Sequence, residues 1–406
     1  MRSVFLSLFP LRSLNQDERR LVFLLWIMGV LQGLAQAPLS SLIPYTRVGL
    51  GLSEGQMSLV LAITRVASLG AVAFSWWGDR SGRRKPFLVA YGTMLVASLL
   101  TAVATGPVWF TTAQGASRVA TSTVGTLAVV LLAEGIRPGF RAFSIGLYAA
   151  AGSLGAGLGQ LMLPIAALNE NAWRYAFAVP ALGVAALPLL RKVEESKLLD
   201  VREATVPLRT ILTGPHSRSF WLAGTAAFCA AGFPAVALAF TTERLVNDLG
   251  YSAGAATAMA LVGGTIGASG FWIGGRLADV WGRRPTTISA LLASIAGGVA
   301  LFEVSSVPAL LTAIAVGGFG AFAYVPAAAS HRAELFPTRV RATAGSAGAY
   351  LATLGSASGL AFGAAMIDRV GLTTTLLTLA APMALAAVVT LALPETRHLT
   401  LSEEHL

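Results

Sequence analysis

The 406 residues are 55% hydrophobic and only 12% charged, with a mean hydropathy of +0.70, and this composition excludes an ordinary water-soluble globular chain, which carries roughly a quarter charged residues. The formal net charge of +10 raises the question of nucleic acid, and the placement of the basic residues answers it below. A single cysteine, Cys229, excludes a disulfide framework, and four scattered histidines (His216, His331, His398, His405) offer no metal-ligand spacing, so neither metal nor cofactor is expected.

Apolar runs of the ~20 residues needed to cross a bilayer follow one another along the chain. We number them spans 1 to 6 over Leu21–Ile43, Glu54–Trp77, Pro86–Thr105, Pro107–Ala133, Phe143–Ala167 and Arg174–Leu190. Spans 7 to 12 cover Ser219–Thr242, Ala253–Leu277, Thr286–Val304, Val307–Ser330, Ala342–Ile367 and Gly371–Leu393. Arg19-Arg20, the first run and Ala35-Gln36-Ala37 imitate a signal peptide, but Pro38 directly after that site disfavours cleavage, so span 1 is expected to be retained. With the N-terminus in the cytoplasm, the loops on the other side hold only Arg47, Arg174, Arg244 and Arg369. Nearly all the other basic residues fall on the inner side, which is the positive-inside pattern with both termini cytoplasmic. The basic excess is therefore topological, and no nucleic-acid partner is expected.

The chain repeats at an offset of 200 residues. Asp79 matches Asp279, Gly82 matches Gly282, Arg83-Arg84 match Arg283-Arg284, Glu134 matches Glu334 and Arg141 matches Arg341. Within spans, Gly70, Gly155 and Gly159 match Gly270, Gly355 and Gly359. Two six-span bundles are expected, at 1–190 and 219–394, joined by a cytoplasmic linker at 191–218 and followed by a tail at 395–406. An even number of spans gives both copies the same orientation, a parallel repeat suited to alternating access around a central site.

Ser75-Trp76-Trp77-Gly78-Asp79-Arg80-Ser81-Gly82-Arg83-Arg84 and its counterpart Gly275-Arg276-Leu277-Ala278-Asp279-Val280-Trp281-Gly282-Arg283-Arg284 resemble the loop signature of the major facilitator superfamily. Ala333-Glu334-Leu335-Phe336-Pro337 with Arg341, and Ala133-Glu134 with Arg141, are similar to its loops after helices 4 and 10. Pro394-Glu395-Thr396-Arg397 is similar to the ending of its sugar-porter-like and organic-ion-like branches. The resemblance implies an all-α fold of twelve transmembrane helices in two parallel six-helix bundles, without enzymatic activity. It also implies that Asp79 and Asp279 form cytoplasmic locks between bundles with Arg83, Arg84, Arg283, Arg284, Glu134, Arg141, Glu334 and Arg341. The alternative for the arginines is that they only set topology. Acidic residues contribute little to topology, so that alternative does not account for Asp79 and Asp279.

Inside the membrane, Arg65 lies roughly 21 Å above the cytoplasmic end of span 2, Arg118 roughly 24 Å above that of span 4, and Gln36 roughly 22 Å into span 1. Gln114 lies one turn beyond Arg118, and Gln32 one turn inward of Gln36. All nineteen acidic residues fall in loops, tails or within about a turn of a span end, so no deeply embedded carboxylate is expected to neutralise either arginine. Guanidiniums facing a cavity attract and fork onto an anion. The expectation is a small anionic substrate held by Arg65, Arg118, Gln36 and Gln114, with Tyr324 contributing from the second bundle. The competing expectation is a multidrug or hydrophobic-metabolite exporter in which both arginines are structural. Partners are thus the bilayer and a small molecule, the site is the cytoplasmic membrane, and a monomer is expected. The glycines at four-residue spacing, Gly155 with Gly159 and Gly355 with Gly359 and Gly363, are read as helix packing.

Overall fold

The computed structural model describes residues 14–136, 141–190, 213–214, 216–336 and 338–396. Most of the expected linker and tail lie outside the described residues. Among those described, eleven helices are long and apolar enough to cross a bilayer, and a shorter apolar helical stretch, Trp173–Leu189, occupies the place of span 6. No strand occurs among them.

Local chemistry explains the ends and breaks. Span 1 (Gln16–Gln36) starts on a reciprocal capping box: Glu18 N donates to Asn15 Oδ1 at 2.8 Å, and Asn15 N donates to a Glu18 carboxylate oxygen at 2.9 Å. Span 6 fails to run as one α-helix. Trp173–Ala178 is α-helical, Val179–Ala186 winds as 3₁₀, and Leu187–Leu190 is α-helical again. Pro180 supplies no amide hydrogen. Gly183 makes room for Tyr91, whose hydroxyl donates to the Gly183 carbonyl at 2.8 Å, while a Cβ at Gly183 would meet that hydroxyl at 2.6 Å.

The repeat is visible in the backbone. Span 2 is Glu54–Ala67, a 3₁₀ turn at Ser68–Gly70, then Ala71–Ser81; span 8 is Ala253–Ala268, a break at Ser269, then Gly270–Trp281. Both inner pieces stop at a glycine of positive φ, 94° at Gly82 and 120° at Gly282, where a side chain would be strained. The matching glycines of the two loop signatures are therefore a backbone requirement met twice.

The chain divides into two compact units, residues 1–50 with 67–203, and residues 51–66 with 204–406. The outer piece of span 2 thus belongs to the second unit and its inner piece to the first. The core of the first unit gathers Leu25, Met28, Phe87, Tyr91, Met94, Val124 and Leu132. Elsewhere in that unit Phe110, Trp173 and Phe177 pack edge to face, and Arg174 lies over the Trp173 ring while donating to the Ala102 carbonyl at 3.0 Å.

In each unit a pair of spans crosses at backbone contact. A Cβ on Gly155 would stand 1.9 Å from the Val30 carbonyl oxygen, and one on Gly33 would stand 2.0 Å from that of Gly152, so only glycine fits at these two points where spans 1 and 5 meet. In the second unit a Cβ on Gly355 would stand 2.0 Å from the Phe228 carbonyl oxygen, and one on Gly359 would stand 2.4 Å from Gly232 Cα. Without a hydrophobic drive between helices in lipid, such close approach is the main source of association.

Candidate functional site

The glycine crossing of spans 1 and 5 sets the polar side chains of span 1 against spans 4 and 5. Arg118, half-buried in span 4 (Pro107–Gly135), donates from Nη1 to Gln36 Oε1 at 3.1 Å. One turn along span 1, Gln32 Nε2 donates to the Thr121 carbonyl at 2.9 Å, and the Tyr148 hydroxyl of span 5 donates to Gln32 Oε1. Thr121 in turn donates to the Arg118 carbonyl at 3.2 Å. A Cβ on Gly125 would meet Gln32 Nε2 at 2.6 Å, so glycine there leaves room for the amide. Two amides, a phenol and a guanidinium from three spans form one network.

Of the residues expected to bind substrate, the structure brings Arg118 and Gln36 together. Gln114 does not join them. It is buried and donates to Thr101 Oγ1 of span 3 at 3.0 Å, tying span 4 to span 3. Arg65 sits on the outer piece of span 2 and Tyr324 on span 10, both within the second unit; Arg65 is exposed and Tyr324 half-buried. Tyr148 was missed by sequence reasoning, because it stands in an apolar run with nothing nearby to mark it.

The span ends that carry the loop signatures hold two further clusters. In the first unit Arg83 reaches Glu134 at 3.4 Å. In the second, Arg283 forks onto Glu334 through Nη2 at 2.9 Å and Nε at 3.1 Å, and Thr396 Oγ1 donates to Glu334 at 2.6 Å. Glu395 accepts from the backbone amides of Arg283 at 2.8 Å and Arg284 at 3.0 Å, placing a carboxylate on the amino end of span 9. His331 Nε2 hydrogen-bonds the Pro394 carbonyl at 2.8 Å. These described pairs lie within a unit. The side chains of Asp79, Arg141, Asp279 and Arg341 lie outside the described residues.

A duplicated fold of apolar spans that enclose a polar network is that of an integral membrane transporter of small molecules. The chain belongs to the major facilitator superfamily, whose model matches residues 25–302 and 269–405. It is 27% identical over 350 residues to a probable 4-methylmuconolactone transporter of Cupriavidus pinatubonensis, covering 80% of this chain and 74% of that one. Among solved structures it is similar to a bacterial homologue of the human lysosomal transporter Spinster in an inward-facing, occupied conformation, with a TM-score of 0.77, 15% identity and coverage of 93% and 97%. It is likewise similar to a D-xylose–proton symporter, with a TM-score of 0.74, 16% identity and coverage of 93% and 98%. It is a multi-pass, non-enzymatic carrier.

Proposed function

We propose that this carrier moves a small organic anion, bearing a carboxylate, across the cytoplasmic membrane by alternating access. The observation that carries this reading is Arg118 of span 4 hydrogen-bonded to Gln36 of span 1 at 3.1 Å, within the first unit. A guanidinium in lipid costs at least ~2.5 kcal/mol on insertion scales, which favours a function for it. Gripping a carboxylate in two parallel hydrogen bonds is the function its geometry suits. A muconolactone is a lactone ring beside a free carboxylate, so the relative's name agrees with that chemistry. Arg65 and Tyr324 are further candidate substrate contacts, each in the second unit, and Gln114 holds span 4 for Arg118. The carrier works as a monomer of two six-span bundles, at 1–190 and 219–394, with both termini cytoplasmic and no nucleic-acid partner. Asp79 and Asp279, with Arg83, Arg84, Arg141, Arg283, Arg284, Arg341, Glu134 and Glu334, stabilise the cytoplasmically closed state and let go when it opens.

The test is a thermal-shift screen of purified protein against lactone and aromatic carboxylates, followed by proteoliposome uptake of the best binder. Stabilisation by carboxylates and not by their methyl esters is the expected result, with loss of uptake in Arg118→Gln. If the esters stabilise equally and Arg118→Gln carries cationic dyes at the wild-type rate, the chain is an exporter of hydrophobic compounds with its arginines structural.

A further inference from the structure

The outer piece of span 2 is fastened to span 11 by an array that the loop signatures do not contain. Span 2 begins with its own capping box: Gln56 N donates to Ser53 Oγ at 3.1 Å, and Ser53 N donates to Gln56 Oε1 at 2.9 Å. Asp368, at the outer end of span 11, adds a carboxylate to the same turn. It accepts from the Gly55 amide at 3.0 Å and from the Ser53 hydroxyl. A helix amino end carries unpaired N–H groups and partial positive charge, so an anion there is favoured. One turn deeper, the buried Ser58 hydroxyl donates to the Leu360 carbonyl at 2.6 Å.

Small residues let the two helices meet. A Cβ on Gly55 would stand 2.6 Å from Asp368 Oδ2 and 2.7 Å from the Ala364 carbonyl oxygen, and one on Gly363 would stand 2.7 Å from Ser58 Oγ. Leu360, Gly363, Ala364 and Asp368 thus form one stripe of span 11 facing Gly55 and Ser58. The same span 2 leaves this unit between Val66 and Ala67, just before its 3₁₀ turn at Ser68–Gly70, and belongs to the other from there on.

We infer that Asp368 is a releasable outer latch, which holds the amino end of span 2 on span 11 in one state of the transport cycle and lets it go in the other. Its chemistry suits release. Asp368 is exposed, so water replaces both donors at little cost when the helices part, whereas a buried carboxylate would be trapped. Its partners are a hydroxyl and a backbone amide, which no ion-pair exchange has to replace. The inference is independent of which substrate is carried.

The test is a distance measurement by double electron–electron resonance between spin labels at the exposed Leu59→Cys of span 2 and Val370→Cys of span 11, in full-length Cys229→Ser protein in nanodiscs without substrate. Asp368→Asn should enlarge the long-distance population about three- to fivefold, and Ser53→Ala should do so to a smaller extent. Asp368→Glu should return part of the original distribution. Distributions unchanged in Asp368→Asn overturn the latch. If Asp368→Asn does not yield monodisperse protein, Ser53→Ala decides, and its unchanged distribution overturns the latch equally.

Discussion

Spans 1 and 5 of the first unit and spans 7 and 11 of the second are built on the same crossing and lined with opposite chemistry. Gly155 meets the Val30 carbonyl as Gly355 meets that of Phe228. In that register Gln32 and Gln36 correspond to Ala230 and Pro234, and the 200-residue offset sets Arg118 and Tyr148 against Gly318 and Gly348. Every polar member of the first network has a small or apolar counterpart. The second unit instead presents a narrow apolar cavity between spans 7, 9 and 10, lined by Phe233, Leu238, Ile314 and Gly317. At both crossings backbone contact tolerates no side chain, whereas the lining carries no such constraint.

The first way to break this comparison is to attack what the two crossings share. Gly155→Val and Gly355→Val should each abolish recovery of folded protein, because carbonyl oxygens at 1.9 and 2.0 Å from the new Cβ have nowhere to retreat along a continuous helix. Fluorescence-detected size exclusion reads this directly. If one variant folds and the other does not, the crossings are not equivalent.

The next largest effect falls on what they do not share. Arg118→Ala should lower uptake of a carboxylate substrate by about 30-fold or more, as expected when one partner of a buried charged contact is removed at a cost of ~2–5 kcal/mol. Arg118→Lys should restore only part of it, since an ammonium keeps the charge and loses the planar fork. Gly318→Arg, the same substitution read backwards into the second unit, should not create a second site.

The span ends that carry the loop signatures sharpen the contrast from the other side. Glu334 has a forked Arg283 and the Thr396 hydroxyl, whereas Glu134 has one contact with Arg83 at 3.4 Å and an Oε2 with no hydrogen-bond partner among the described residues. Glu334→Gln should therefore destabilise by ~1–3 kcal/mol and Glu134→Gln by less than half as much, compared by thermal unfolding in detergent. Equal losses would mean that the tail residues Glu395 and Thr396 add nothing to the second end.

What was legible in the sequence follows from what is additive along a chain. Span positions were readable because each apolar run crosses the bilayer on its own, and the family because Asp79 to Arg84 and Asp279 to Arg284 repeat in register. Gly82 and Gly282 were readable as matches, though their reason, a positive φ, is a property of the backbone. The site was legible only as a depth. Rise per residue put Gln36 and Arg118 at one level, but it could not say that Gln114 turns towards Thr101. Nor could it find Tyr148, which is recruited by a helix crossing more than a hundred residues away in the chain. The Glu395 and Thr396 contacts were hidden for the same reason, since a short polar tail carries no periodicity to place it.

Tyr148 offers the smallest and most discriminating effect. Its hydroxyl donates to Gln32, which is bonded to Thr121 beside Arg118, so it acts on the site through span 1 rather than by charge. Tyr148→Phe keeps the ring in its buried place and removes one neutral hydrogen bond, at ~1 kcal/mol. That should raise the KM for uptake about fivefold, leave the maximal rate and the melting temperature nearly unchanged, and be non-additive with Gln32→Ala. Additive losses would mean that the phenol and the amide serve separate ends. A fall in melting temperature with unaltered KM would mean that the network in the first unit is packing, as its apolar counterpart in the second unit is.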